Sequence, residues 1–280
     1  MKTITSLSDM RSLAASIRRE GKTIGIVPTM GFLHEGHLSL IRRACKECDI
    51  VVVSIFVNPI QFGPNEDYER YPRDTEGDLE KCRSADIDIV FMPTAEEMYL
   101  EKPSVFIMVE GLSDILEGAF RPGHFRGVAT VVAKLFNVVT PHKAFIGQKD
   151  FQQCIIIKQM VTGLNMDVEV VVLPIVREPE GLAMSSRNSY LSADERRAAT
   201  VIYRALIAAR DLFISGTREP DKLKEKIRAL LLTEQCVGID YVEVSDTETL
   251  QPIEKAGGNM VLLVAVRIRK TRLIDNIIIP

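Results

Sequence analysis

Short apolar runs separated by stretches of helical periodicity govern what this chain can become. The runs are Thr23 to Val27, Ile50 to Val57, Ile87 to Phe91, Val105 to Val109, Ala144 to Ile146 and Val168 to Leu173. Between several of them, Leu38 to Glu47, Asp74 to Arg83, Gly127 to Val139 and Phe151 to Gly163 place apolar residues at helical spacing. Parallel strands need a long crossover between them, and a helix supplies it. The pattern therefore predicts a Rossmann-like, mostly parallel sheet with helices on both faces. Ligands of such a sheet bind beyond the carboxyl ends of its strands. Met1 to Glu20 mixes Lys2, Asp9, Arg11 and Arg18 among apolar residues and reads as an amphipathic helix rather than a signal peptide or membrane span.

The texture changes after Val176. Arg177-Glu178-Pro179-Glu180-Gly181 combines turn residues with charge, and a domain boundary is placed there. Residues 1–176 form the expected first domain, built on the parallel sheet. Residues 177–280 are expected to form a smaller α+β domain that closes over the first, with helices at Ala193 to Ser215 and Asp221 to Gln235. Its strands are Asp240 to Val244, Met260 to Ile268 and Leu273 to Ile279, with Arg269-Lys270-Thr271 as a short hairpin turn.

A chain of 280 residues with 46% hydrophobic content can bury a substantial core. Its formal charge of -3 gives no bulk electrostatic reason to expect nucleic acid or an anionic membrane as partner. The five cysteines show no disulfide framework, so reduced thiols in a cytoplasmic setting are the simplest reading.

Pro28-Thr29-Met30-Gly31-Phe32-Leu33-His34-Glu35-Gly36-His37 lies where the first run hands over to a helix. Unpaired backbone N–H groups and the helix dipole make such a start an anion site, and two imidazoles beside it can donate to phosphoryl oxygens. An isolated histidine at a helix start is ordinarily a cap or surface residue. The zinc-protease motif fails here, because its second histidine lies four residues from the first and these lie three apart. Zinc held by His34, His37, Cys45 and Cys48 fails on distance: eight helical residues separate His37 from Cys45 by roughly 12 Å, whereas zinc bonds span only about 2 Å. Cys45-x-x-Cys48 sits late in the helix, away from the end that lowers a thiol pKa, and reads as packing.

Four further constellations carry polar chemistry. Asn58-Pro59-Ile60-Gln61 follows a strand and offers two amides to hydroxyls and carboxylates, although Asn58 could simply cap a Pro-directed turn. Gly147-Gln148-Lys149-Asp150 also follows a strand. Lys149 can neutralise phosphate charge, and Gln153 stands one helical turn beyond it. Met184-Ser185-Ser186-Arg187-Asn188 sets two hydroxyls beside a fixed cation, which suits a polyphosphate or, read structurally, an N-cap and turn before Ala193. Arg121-Pro122-Gly123-His124 could contact a carboxylate or be a solvated loop.

Taken together and in this order, these motifs resemble the pantoate–beta-alanine ligase family of the nucleotidyltransferase superfamily, whose His-x-Gly-His signature matches His34-Glu35-Gly36-His37. Tyr71-Pro72-Arg73, Arg121 to Thr130 and Met184 to Asn188 extend the resemblance over nearly the whole chain. It implies ATP-dependent ligation of pantoate and beta-alanine to pantothenate, through a pantoyl adenylate, with release of pyrophosphate and AMP. Met30, Gly31, Phe32, Leu33, His34, Glu35, Gly36 and His37 would line the ATP site, with His37 as proton donor. Gly147, Gln148, Lys149, Asp150, Val176, Met184, Ser185, Ser186 and Arg187 would complete it: Lys149, Ser185, Ser186 and Arg187 on phosphates, Asp150 on ribose, and Val176 through its main chain. Gln61 would touch pantoate and beta-alanine, Gln153 pantoate, and Asn58 would support them. The resemblance further implies Mg2+ held mainly by ATP phosphates and water, no dedicated protein metal cage, and a homodimer built through the N-terminal domains.

Overall fold

The computed structural model describes residues 1–99 and 103–279. Two compact units emerge, one of residues 1–148 and 153–174, the other of residues 149–152 and 175–280.

The first unit is built on β1 (Lys2–Ile4), α1 (Leu7–Arg19), β2 (Ile24–Thr29), α2 (Glu35–Glu47), β3 (Ile50–Ile55), α3 (Thr75–Ser84) and β4 (Ile89–Phe91). Short helices α4 (Ala95–Met98) and α5 (Glu117–Phe120) lead to α6 (His124–Val139), β5 (Lys143–Gly147), α7 (Phe151–Gly163) and β6 (Glu169–Leu173). Every strand pairing in this sheet is parallel, and the strands lie in the order β1-β4-β3-β2-β5-β6. From β2 the chain proceeds to one side through β3 and β4, while β5 and β6 are added on the other. That reversal at β2 opens the crevice such sheets use for ligands. The carboxyl ends of β3, β2 and β5 lead directly into Asn58, Met30 and Gln148.

Alternation along the strands assigns the faces. Val27, Val51, Val53, Val90 and Phe145 share one face and pack with Leu40, Ile41 and Ala44 of α2 and Cys82 of α3. Ile26, Val52, Phe91 and Ala144, offset by one residue, are equally buried and face the other way.

The second unit holds α8 (Ala193–Ala199), α9 (Val201–Ile214) and α10 (Pro220–Leu231), followed by the antiparallel sheet β7 (Val237–Asp246), β8 (Met260–Ile268) and β9 (Thr271–Ile279). Ala205, Leu206, Ala209, Leu223, Ile227 and Leu231 from the helices meet Val242, Val244, Leu262, Val264 and Val266 of the sheet. The chain turns from β8 to β9 through Arg269 and Lys270, with Arg269 at φ 51°.

Three expectations require correction. Val105 to Val109 forms no ladder with any described residue. The Ile107 N–H donates to Thr130 Oγ1 at 2.9 Å, and Val105 is 79% exposed. An apolar run whose backbone bonds are met by a neighbouring side chain has no need of a partner strand. The first twenty residues begin with β1, paired to β4, and only then enter α1 under the Ser6 cap; a three-residue edge strand is too short to show a period. Helix 193–215 breaks at Thr200, whose hydroxyl donates to Arg197 O at 2.8 Å.

One close approach ties the core to the crevice. A Cβ at Gly127 would lie 2.5 Å from Ile60 O and 2.7 Å from Gln61 N, so α6 meets the Pro59–Gln61 turn backbone to backbone. Gly127→Ala is expected to cost about 1–3 kcal/mol, the usual scale for overpacking. A urea unfolding midpoint equal to that of the unmodified protein would contradict this contact.

Candidate active site

The histidine turn begins at the end of β2. Thr29 donates its hydroxyl to Ser54 O at 2.7 Å and accepts from the Gly31 N–H at 3.1 Å, which bends the chain out of the sheet. Gly31 (φ 80°) and Phe32 (φ 50°) both take left-handed conformations. That conformation is unfavourable for a phenylalanine. Asp78 of α3 sustains it: its carboxylate accepts from the Phe32 N–H at 2.7 Å and the Leu33 N–H at 2.6 Å. Asp78 is only 1% exposed. Burial pushes its carboxyl above the ordinary value, while the Leu33 and Phe32 N–H groups pull it back. A Cβ on residue 31 would stand 2.9 Å from Asp78 Oδ2, so the turn needs glycine there on space as well as on φ.

α2 starts at Glu35, three residues earlier than the apolar pattern from Leu38 predicts, because the histidines cap it themselves. His34 is the N-cap, and its Nδ1 accepts from the Gly36 N–H at 3.1 Å. In return, the His34 N–H donates to His37 Nδ1 at 3.3 Å, and the two rings stand 4.1 Å apart. A ring nitrogen that accepts carries no proton. Each neutral imidazole therefore keeps its proton on Nε2, as a donor. Capping and anion binding, alternatives in sequence terms, are thus compatible: one nitrogen serves the cap and leaves the other in donor form. Glu35 pairs with Arg42 of the same helix.

Beyond β3, Asn58 and Gln61 are buried together. Asn58 occupies the N-cap position of the Pro59–Gln61 turn, but its side chain makes no capping bond there. Its Nδ2 donates to Gln61 Oε1 at 2.9 Å and to Gly127 O at 3.2 Å, while Gln61 Nε2 lies 3.1 Å from Met30 Sδ. The loop at 121–124 supports this arrangement. Arg121 binds Glu66 through two bonds of 2.7 and 2.6 Å, and His124 reaches Gln61 O through Nδ1 at 2.9 Å. Gln153 stands half-buried in the first turn of α7. Behind it, the Cys154 thiol donates to Gly147 O at 3.2 Å. Cys48 packs against the core, whereas Cys45 is exposed, and partial desolvation raises the thiol pKa of both, which opposes redox reactivity.

The second unit gathers the remaining candidates by its own bonds. Lys149 and Asp150 form an ion pair at 3.5 Å, and Lys149 O accepts from Asn276 Nδ2 at 3.1 Å. Arg177 grips Asp275 with two bonds of 2.6 and 2.9 Å and stacks 3.9 Å over the Tyr203 ring. Val176 O accepts from the Met184 N–H at 3.0 Å, which aligns the two segments side by side. Ser185 caps the short turn Ser186–Tyr190, accepting from the Arg187 N–H at 3.3 Å. Asn188 is 3% exposed and bonds Ala183 O and Glu178. The helix at Ala193 is capped instead by Ser192, in a reciprocal box with Glu195. The Ser-Ser-Arg segment is therefore held in place without serving that helix.

Asp78, Tyr99, Asp275 and Asn276 escape sequence reasoning. An aspartate in the first turn of a helix reads as an exposed, dipole-favoured residue, and only the fold brings Asp78 beneath the histidine turn. Asp78→Asn replaces one acceptor oxygen with a donor, so one of the two N–H groups faces an NH2. A loss of about 1–3 kcal/mol in unfolding free energy is expected, together with slower turnover. Unchanged stability and activity would show that the carboxylate does not hold the turn.

Residues 2–278 match the family model for pantoate-beta-alanine ligase. A pantothenate synthetase of Thermotoga neapolitana is 54% identical over 279 residues, spanning 100% of both chains. One from Caldicellulosiruptor saccharolyticus is 53% identical over 279 residues, spanning 100% of this chain and 99% of its own. Among solved structures, the pantothenate synthetase of Thermus thermophilus matches with a TM-score of 0.95 at 45% identity, with 100% of both chains covered. A pantoate-beta-alanine ligase of Francisella tularensis, complexed with beta-gamma ATP and beta-alanine, matches with a TM-score of 0.82 at 34% identity, covering 99% of this chain and 97% of that one. With a family model matched almost end to end and relatives more than half identical over their full length, the chain belongs to the pantoate–beta-alanine ligase family.

Proposed function

We propose that this pantoate–beta-alanine ligase carries out its ATP-dependent ligation in two steps. In the first, a carboxylate oxygen of pantoate attacks the alpha phosphorus of ATP. The bond from that phosphorus to the bridging oxygen breaks, and pyrophosphate leaves pantoyl adenylate behind. In the second, the amine of beta-alanine attacks the acyl carbon, the bond to AMP breaks, and the amine gives up a proton as the amide forms. A free carboxylate is a poor acyl donor; the mixed anhydride supplies the leaving group.

The observation that carries this reading is the reciprocal capping of His34 and His37, which leaves both imidazoles in the Nε2–H form at the start of α2. The first step brings two anions together, so donors that strengthen as charge builds on the phosphate oxygens are what it needs. His34 and His37 take that role, with His37 as proton donor, and Met30 to His37, Gly147 and Gln148 complete the first unit's contribution to ATP. On the second unit, Lys149, Ser185, Ser186 and Arg187 bind phosphates, Asp150 the ribose, and Val176 and Met184 offer main-chain contacts. Gln61 and Gln153 bind pantoate, with Gln61 also touching beta-alanine and Asn58 orienting it. The ligands of the Francisella tularensis complex support ATP and beta-alanine as substrates.

Mg2+ would enter with the nucleotide, held by its phosphates and by water, where it would offset phosphate charge. Among the described residues no group of three or more His, Cys, Asp or Glu side chains is gathered to cage it. The free thiols of all five cysteines support a cytoplasmic setting. No helix among the described residues is long and apolar enough to cross a membrane. A homodimer built through the first unit, which sedimentation would register, completes the proposal.

Mass spectrometry of products from ATP and pantoate, with and without beta-alanine, tests the sequence of steps. Pantoyl adenylate and pyrophosphate are expected without the amine, and pantothenate with AMP once it is added. Adenylate formation that strictly requires beta-alanine would contradict two steps. His37→Ala should slow adenylation by a factor on the order of 100–1,000, the scale for one strong donor; single-turnover adenylation at the unmodified rate would remove His37 from that role.

A further inference from the structure

The hydrogen bonds around Gln61 run in one direction, and a backbone carbonyl sets it. A carbonyl can only accept, so the Asn58 amide end that lies 3.2 Å from Gly127 O is Nδ2. The other end is Oδ1, and the Tyr99 hydroxyl 2.7 Å away must donate to it. Nδ2 sends its second proton to Gln61 at 2.9 Å, which fixes that end of the glutamine as Oε1. Gln61 therefore turns Nε2 the other way, where the Met30 thioether lies at 3.1 Å. A thioether is a weak acceptor. A carboxylate or hydroxyl oxygen arriving there would bind the same N–H groups more strongly.

We infer that Tyr99 is a positioning residue for the acid substrate: acting through Asn58, it holds Gln61 with its N–H donors turned toward an acceptor oxygen of pantoate. The inference rests on the assignment of Gln61 to pantoate. Tyr99 directly follows α4, and its own N–H is tied to Ala95 O at 2.8 Å. Its ring lies 6.2 Å from the Phe56 ring and 5.6 Å from Lys134 Nζ. Burial pushes the phenol well above its ordinary pKa, so the hydroxyl stays a proton donor throughout the physiological range. Asn58 is 1% and Gln61 7% exposed. In such surroundings an unpaired amide oxygen is costly, and loss of one donor is passed along the chain of bonds.

Steady-state kinetics on four enzymes test the relay: the unmodified protein, Tyr99→Phe, Gln61→Ala, and the two combined. Tyr99→Phe removes only the hydroxyl. It is expected to raise the KM for pantoate about 5- to 30-fold, the fold-change equivalent to one buried hydrogen bond, while the KM for ATP stays near its unmodified value and the unpaired Asn58 oxygen lowers the thermal midpoint by a few degrees. Introduced into the Gln61→Ala background, the same change should alter the pantoate KM by less than about 2-fold, because coupled residues do not add. The pantoate-induced rise in thermal midpoint gives the same comparison without turnover. Equal factors in both backgrounds would overturn the relay, as would an unchanged pantoate KM in Tyr99→Phe. A Gln61→Ala enzyme with an unchanged pantoate KM would instead overturn the assignment of Gln61 to pantoate, and the relay with it.

Discussion

The candidate site of the first unit depends on two N–H···O bonds from Phe32 and Leu33 to the buried carboxylate of Asp78. Without them, two successive left-handed residues, one a phenylalanine, would have nothing to offset their conformational cost. With them, the chain leaves β2, reverses and enters α2 with His34 at the cap. The preference for an ionised acceptor and the cost of burying it oppose one another at this carboxylate, and burial is the larger influence on its pKa. A buried charge held by two backbone donors fixes geometry more than it adds stability. Fixed geometry is what the proposed phosphate site needs.

Both units hold their polar residues in place with other polar residues. In the first, Tyr99, Asn58, Gln61 and His124 form a buried cluster whose bonds are directed by the Gly127 and Gln61 carbonyls. In the second, Arg177 with Asp275 and Asn188 with Glu178 immobilise the strand-like segments that carry Val176 and Met184 to Arg187. Such networks rigidify when every member is satisfied. The residues that would touch ligands thus rely on others that orient them. The clearest case is α6, which approaches so closely at Gly127 that its backbone becomes a partner of the Asn58 amide.

The parts of the fold legible in the sequence are the long apolar segments bounded by polar or turn residues. β8 at Met260–Ile268 and α7 at Phe151–Gly163 coincide with their apolar patterns, and the parallel order of the large sheet follows from alternating strands and helices. Where local pattern misleads, a tertiary partner is responsible. Val105 to Val109 has strand composition but finds Thr130 instead of a neighbouring strand. β1 has no readable period, yet β4 offers it an edge. α2 begins early because His34 and His37 complete each other's bonds, an arrangement visible only when both backbones are placed.

Order and residue type alone determined the alternating sheet and the family, and singled out the segments around His34, Asn58, Lys149 and Ser185 as candidates, because phosphates and carboxylates favour particular donors. Which atom of each side chain acts was decided only by tertiary structure. The neutral histidines keep their proton on Nε2 because backbone N–H groups occupy Nδ1. Gln61 turns Nε2 outward because a chain of bonds from Tyr99 and Gly127, distant in sequence, occupies its oxygen. Asp78, forty-six residues beyond the turn it supports, becomes essential to that turn because the sheet brings α3 beneath it. Hydrogen-bond direction depends on who stands opposite, and sequence separation carries no information about that.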